Sequence, residues 1–105
     1  MKRYRNDAYL GYVRGHACCS CLAPGPSEAH HFGGGGMGRK ADDTLTVPLC
    51  RTCHQYWHDR GRLPGYEHAT GRIESERTMY KQQAILLSRW VAERGSGSDE
   101  QLDIF

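Results

Sequence analysis

The chain has 105 residues, the length of one domain with room for a tail. Leu, Ile, Val and Phe number 16, about 15%, a thin supply for a core, yet the formal net charge of +2 is too small for the usual signature of disorder. Such a chain needs a staple, a bound metal or disulfides. No apolar run approaches the roughly 18 residues of a membrane helix, and Met1-Lys2-Arg3-Tyr4 opens no signal-type segment, so the reading is a cytoplasmic protein with no membrane partner.

In chain order, Tyr4, Tyr9, Leu10, Tyr12 and Val13 predict a short helix within residues 1–16. Pro24 to Ser27 is a turn. Glu28-Ala29-His30-His31-Phe32 reads as a strand, Gly33 to Gly38 as a flexible loop, and Leu45-Thr46-Val47 as a second strand that ends at Pro48-Leu49. Helical spacing runs from Arg51 through Trp57 to Arg60, stopped by Gly61. After a loop over 61–72, apolar residues at 73, 80, 84, 87 and 91, widened by Met79, Leu86 and Trp90, predict an amphipathic helix over Ile73–Arg94 with Gly95 as its cap. Ser96-Gly97-Ser98 is a linker. The expected organisation is a domain over 1–95 and a tail over 96–105.

Cys18-x-x-Cys21 and Cys50-x-x-Cys53, 28 residues apart, have the paired-knuckle spacing of a structural, tetrahedral Zn²⁺ site. A disulfide framework is the alternative, but bridges inside such short knots are strained and no secretory signal accompanies them. Cys19 is left over as a partly buried thiol.

Four of the six histidines fall in register. His54 and His58 are i and i+4 on a helix, so they share a face and can grip one metal. His30 and His31 are neighbours on a strand and point to opposite faces. One can bind metal while the other stands free as a base. Cys53 and His54 diverge by about 100° around their helix, so each can serve a different centre. His16 and His68 read as loop residues.

Glu28-x-His30-His31 followed by His54-x-x-x-His58 resembles the HNH (ββα-metal) nuclease motif, here bracketed by the two knuckles. With Gly36-Met37-Gly38-Arg39-Lys40 and Val47-Pro48-Leu49-Cys50, the stretch 16–61 is similar to phage-borne HNH proteins of the Ref-like kind, associated with recombination. The resemblance implies an α+β fold, with a ββα-metal core at about 28–61 stapled by the cysteines and flanked by an N-terminal and a long C-terminal helix. It implies His31 as general base, His30, His54 and His58 as ligands of one catalytic divalent metal, and Glu28 as the residue orienting a ligand or an Arg. The products would be a 5′-phosphate and a 3′-hydroxyl, with one strand nicked per monomer. Imidazole ligands favour Mn²⁺, Ni²⁺ or Co²⁺ over Mg²⁺, so Mn²⁺ is expected to serve at least as well. The family's middle Asn has no equivalent; Asp43 or Thr44 stands nearest.

Eleven of the 14 basic residues are Arg, the side chain suited to phosphate, although a GC-biased genome gives the same count. Arg39 and Lys40 beside the glycines, and Arg51, are candidate DNA contacts; Arg3, Arg5, Arg14, Arg60 and Arg62 are further ones. Gly33 to Lys40 is no nucleotide loop, because Arg39 and Lys40 stand where Lys and Ser or Thr are needed. Tyr56 and Trp57 are expected to pack against the long helix. Weak sequence preference and salt-sensitive binding follow from the lack of a recognition helix.

Gln101-Leu102-Asp103-Ile104-Phe105 resembles the motif that docks replication proteins on the bacterial β sliding clamp, with Gln101, Leu102, Ile104 and Phe105 as anchors; folding back onto the domain is the alternative. The protein is expected as a monomer or weak homodimer. A non-catalytic zinc-ribbon module that binds nucleic acid or the clamp is the rival reading, and it leaves the four histidines unexplained.

Overall fold

The first helix begins where a side chain replaces a missing backbone partner. Asn6 Oδ1 accepts the Tyr9 N–H at 3.0 Å and Asp7 places negative charge in the first turn, so α1 runs Asp7–Arg14 with Tyr9, Leu10 and Val13 buried. This computed structural model describes residues 4–33 and 42–95. Along them follow β1 (Glu28–His31), β2 (Thr46–Leu49), α2 (Arg51–Arg60) and α3 (Gly71–Gly95). The fold is a small α+β arrangement of three helices and a two-stranded antiparallel sheet. Arg3, Arg39, Lys40 and the tail residues Gln101, Leu102, Ile104 and Phe105 lie outside the described residues. Among those described, no helix is long and apolar enough to cross a membrane.

β1 and β2 pair Glu28 with Leu49, Ala29 with Pro48, His30 with Val47 and His31 with Thr46. The second strand is shifted from the expected Leu45–Val47 and takes in Pro48. In a two-stranded ribbon each strand has a free edge, so a residue without an N–H is tolerated there. The Pro48 carbonyl is used instead, accepting the Cys19 N–H at 2.9 Å. α2 starts at Cys50, whose sulfur accepts the Cys53 N–H, and stops at Gly61, which takes the left-handed φ of 69° and returns its N–H to the Trp57 carbonyl.

α3 starts two residues earlier than expected, and its buried face follows Met79 and Leu86, which widened the expected stripe, rather than Ile73, Tyr80 and Ala84. Ser75, Met79 and Leu86 are buried, while Ile73 is 60% and Tyr80 47% exposed. The reason is polar. Ser75 Oγ accepts the Leu63 N–H and donates to the Gly71 carbonyl, so a hydroxyl docks the first turns where an apolar count skips it. The core beneath holds Cys18, Phe32, Val47, Leu49, Cys53, Leu63 and Met79. α1 closes the other side, with the Tyr9 and Tyr12 rings 5.5 and 5.3 Å from Trp90.

A Cβ on Gly71 would collide with the Tyr66 carbonyl oxygen, whereas one on Gly11 meets nothing within 4 Å. Gly71→Ala is therefore expected to destabilise the fold by about 1–3 kcal/mol, and Gly11→Ala, in a helix interior, to stabilise it. Thermal melts followed by circular dichroism check both signs.

Candidate functional site

Two groups of ligating side chains lie side by side. Cys18, Cys21, Cys50 and Cys53 converge with their sulfurs within 4.8 Å of one another. The first pair comes from the turn after α1 and the second from the N-terminus of α2. Cys21 Sγ and Cys50 Sγ are 3.7 Å apart. A tetrahedron with metal–sulfur bonds of about 2.3 Å has edges of roughly 3.8 Å, so the cluster fits a structural metal ion. N–H groups already point at the sulfurs: those of Ser20 and Cys21 reach Cys18 Sγ and that of Cys53 reaches Cys50 Sγ, each at 3.4 Å. Burial pushes the Cys18 thiol up, but backbone donors at Cys21, Cys50 and Ser20 pull it down to about 7. Burial and the neighbouring Cys18 push Cys19 up to about 12, so the spare thiol stays protonated. All five cysteines are free of disulfides.

The second group is His30 from β1 with His54 and His58 from α2, their ligating nitrogens within 4.8 Å of one another. His30 is 4% exposed and its Nε2 has no hydrogen-bond partner. Burial, then the His54, His58 and His31 rings, push it down to about 3, so it stays neutral and keeps a lone pair near neutral pH. His54 Nδ1–H donates to Glu28 Oε1 at 2.7 Å, which leaves its Nε2 free. A buried orphan nitrogen beside two further imidazoles, one already oriented by a carboxylate, is a donor set that fits a divalent transition metal. Glu28 thus lies against one of the three imidazoles. Trp57 closes the back of this group, its ring 5.8 Å from His30 and capped by the Arg72 guanidinium at 5.1 Å.

His31 leaves the strand on the other side. Its Nε2–H donates to Asp43 Oδ1 at 2.8 Å, and Asp43, 1% exposed, also accepts the Asn6 N–H on Oδ2 at 2.6 Å. Of the two candidates for the missing Asn, Asp43 therefore reaches His31, while the Thr44 carbonyl takes the Gln83 amide at 2.9 Å. A cleft of about 300 Å³ is lined by Ala29, His30, His31, His54 and His58, so His31 and the three-imidazole group open onto one space.

The remaining candidates scatter. Arg51 is exposed on α2 and lines a neighbouring groove with Thr52, Gln55, Tyr56 and Asp59. Arg60 lies over the half-buried Tyr56, and Arg62 donates to the His68 carbonyl. Arg5 and Arg14 are exposed. His16 bonds the Tyr12 carbonyl and His68 pairs with Glu74, as loop residues do. Sequence reasoning missed Asn6, whose partner is 37 residues away and whose contribution is a backbone N–H common to every residue type but proline.

Cobalt(II) loading separates the cysteines. Cys53→Ala should abolish the thiolate-to-cobalt charge-transfer absorption and lower the thermal midpoint, and Cys19→Ala should leave both as they are. Stripping metal with a strong chelator should melt the wild-type fold cooperatively.

The profile of a family described as "Protein of unknown function (DUF968)" matches residues 1–85. The chain is similar to the uncharacterized protein YdfU of Escherichia coli (strain K12), with 37% identity over 60 residues that cover 54% of this chain and 17% of that relative. The chain thus corresponds to a small part of the length of the curated relative it matches. No solved structure matches it. With four-fifths of its length in that match, the chain belongs to the DUF968 family.

Proposed function

We propose that this protein is a metal-dependent DNA endonuclease of the HNH (ββα-metal) type that nicks one strand of duplex DNA with low sequence specificity. One observation carries the reading: the strand β1 sends His30 to a three-imidazole metal group and His31 to a buried carboxylate, and both line one cleft. A zinc-ribbon module needs only the cysteines and has no use for that division.

A divalent ion on His30, His54 and His58 would supply positive charge to the scissile phosphate and the departing 3′ oxygen. His31 does the proton work. Because its Nε2–H is committed to Asp43, Nδ1 carries the lone pair and takes a proton from a water as that oxygen bonds to phosphorus. The phosphorus–3′-oxygen bond breaks, its electron pair stays on the 3′ oxygen, and a solvent proton completes the 3′-hydroxyl. Asp43 stabilises the imidazolium formed on His31 and fixes which nitrogen acts, as the carboxylate does in a Ser-His-Asp triad. Glu28 holds the His54 ring with its Nε2 toward the metal group. Arg51 on the same helix, with Arg39 and Lys40, would contact backbone phosphates. Docking of Gln101, Leu102, Ile104 and Phe105 on a sliding clamp, and a role in phage DNA recombination or replication, belong to this proposal on sequence grounds alone.

The test is conversion of supercoiled plasmid in EDTA, Mg²⁺ or Mn²⁺. Open circles should form with metal, at least as fast in Mn²⁺ as in Mg²⁺, and none in EDTA. His31→Ala should slow the reaction on the order of 10²–10⁴-fold. Failure of zinc-loaded, folded protein to cut in any metal would overturn the nuclease reading in favour of the ribbon module; linear product in place of open circles would show paired active sites.

A further inference from the structure

We infer that the segment Tyr4–Asn6, ahead of α1, is a positioning element for His31, because its backbone holds the Asp43 carboxylate that sets the tautomer and aim of that ring. The effect on catalysis rests on the nuclease reading; the effect on the ring rests on hydrogen bonding alone.

Three bonds join the segment to the turn that carries Asp43. The Asn6 N–H donates to Asp43 Oδ2 at 2.6 Å, the Tyr4 N–H donates to Asp42 Oδ1 at 2.7 Å, and the Asp43 N–H donates back to the Tyr4 carbonyl at 2.9 Å. A carboxylate that is 1% exposed cannot turn to bulk water when a donor is withdrawn. Loss of the Asn6 donor on Oδ2 changes the balance of bonds that sets the carboxylate's angle, and with it the aim of Oδ1 at His31 Nε2–H. The Asn6 side chain has a separate task, since Oδ1 caps the Tyr9 N–H and Nδ2 donates to the Tyr4 hydroxyl. Backbone and side chain of one residue thus serve two functions that substitution can separate.

The segment is also rigidly mounted. α1 is fixed to α3 by the Tyr9 and Tyr12 rings on Trp90 and by the Tyr12 hydroxyl on Glu93 Oε2. The Asp43 turn is braced from its other side by Gln83 of α3, which donates to the Thr44 carbonyl. A carboxylate held between the start of α1 and the flank of α3 is tied to the whole helical frame. Each of these contacts spans more than 35 residues of sequence. None is a feature of the hairpin alone.

The test combines side-chain ¹H–¹⁵N NMR of the histidines with plasmid nicking, in the full chain loaded with zinc. Proline at position 6 has no N–H to give, and alanine keeps it. Wild type should show His31 as the Nε2–H tautomer with a slowly exchanging ring proton. Asn6→Pro should lose that signal and lower kcat roughly tenfold to a hundredfold at unchanged KM for plasmid, as loss of alignment does. Asn6→Ala should keep both. If Asn6→Pro does not fold, the Asp42 pair decides: Asp42→Ala releases Tyr4 and should weaken the Nε2–H signal, and Asp42→Asn, which still offers an acceptor oxygen, should restore it. Retention of the signal in a folded Asn6→Pro, or in Asp42→Ala in its stead, overturns the inference. So does a lost signal with unchanged turnover. If wild type cuts no DNA, the nuclease reading has failed and the tautomer alone decides the positioning.

Discussion

Alternation along a single strand divides this site in two. On β1, residues two apart share a face and neighbours oppose, so Glu28 and His30 go to α2 while His31 goes to Asp43. A slip of one residue would exchange the two histidines between their partners. The chain accordingly fixes β1 at both ends. Ahead of it, the Ser27 N–H and Oγ bond the Arg14 and His16 carbonyls; behind it, the Phe32 N–H bonds the Leu45 carbonyl. The knuckle ties the partner strand β2 in turn, through the Cys19 N–H on the Pro48 carbonyl.

The thin apolar composition explains why ligating residues double as core. Cys18 and Cys53 are buried with Val47, Leu49 and Met79, and the metal-fitting cluster therefore sits where a larger protein would place leucines. His30 is a different case. A buried imidazole nitrogen without a partner costs stability in the ligand-free fold, and natural folds keep such groups mainly where something binds. Trp57 and Arg72 shield it from the side away from the cleft.

Much of this was legible in the sequence because its signals are local. Knuckle spacing, the i, i+4 histidines, the strand alternation at His30-His31 and the Gly61 stop all act within one turn or one strand, and each element appears where its signal placed it. The α3 stripe holds at Met79 and Leu86 and fails at Ile73 and Tyr80, because Ser75 docks the first turns and a hydroxyl that bonds backbone groups on either side carries no hydropathy signal. Pro48 was read as a stop because the rule for proline in sheets assumes an interior strand. Asp43 could be named only as one of two nearby candidates. What selects it is a long-range arrangement, the arrival of Asn6 and the bracing of Thr44 by Gln83, that no short window contains.

α3 also grips both edges of the segment that joins the two strands. Phe32 packs edge-on against Tyr80 at 4.8 Å, a Cβ on the adjoining Gly33 would lie 2.7 Å from the Tyr80 hydroxyl, and Gln83, one turn further along, bonds the Thr44 carbonyl. This long helix therefore acts as a clamp on the hairpin's open end, so that a change in the packing of α3 is transmitted to the turn that carries Asp43 and from there to His31.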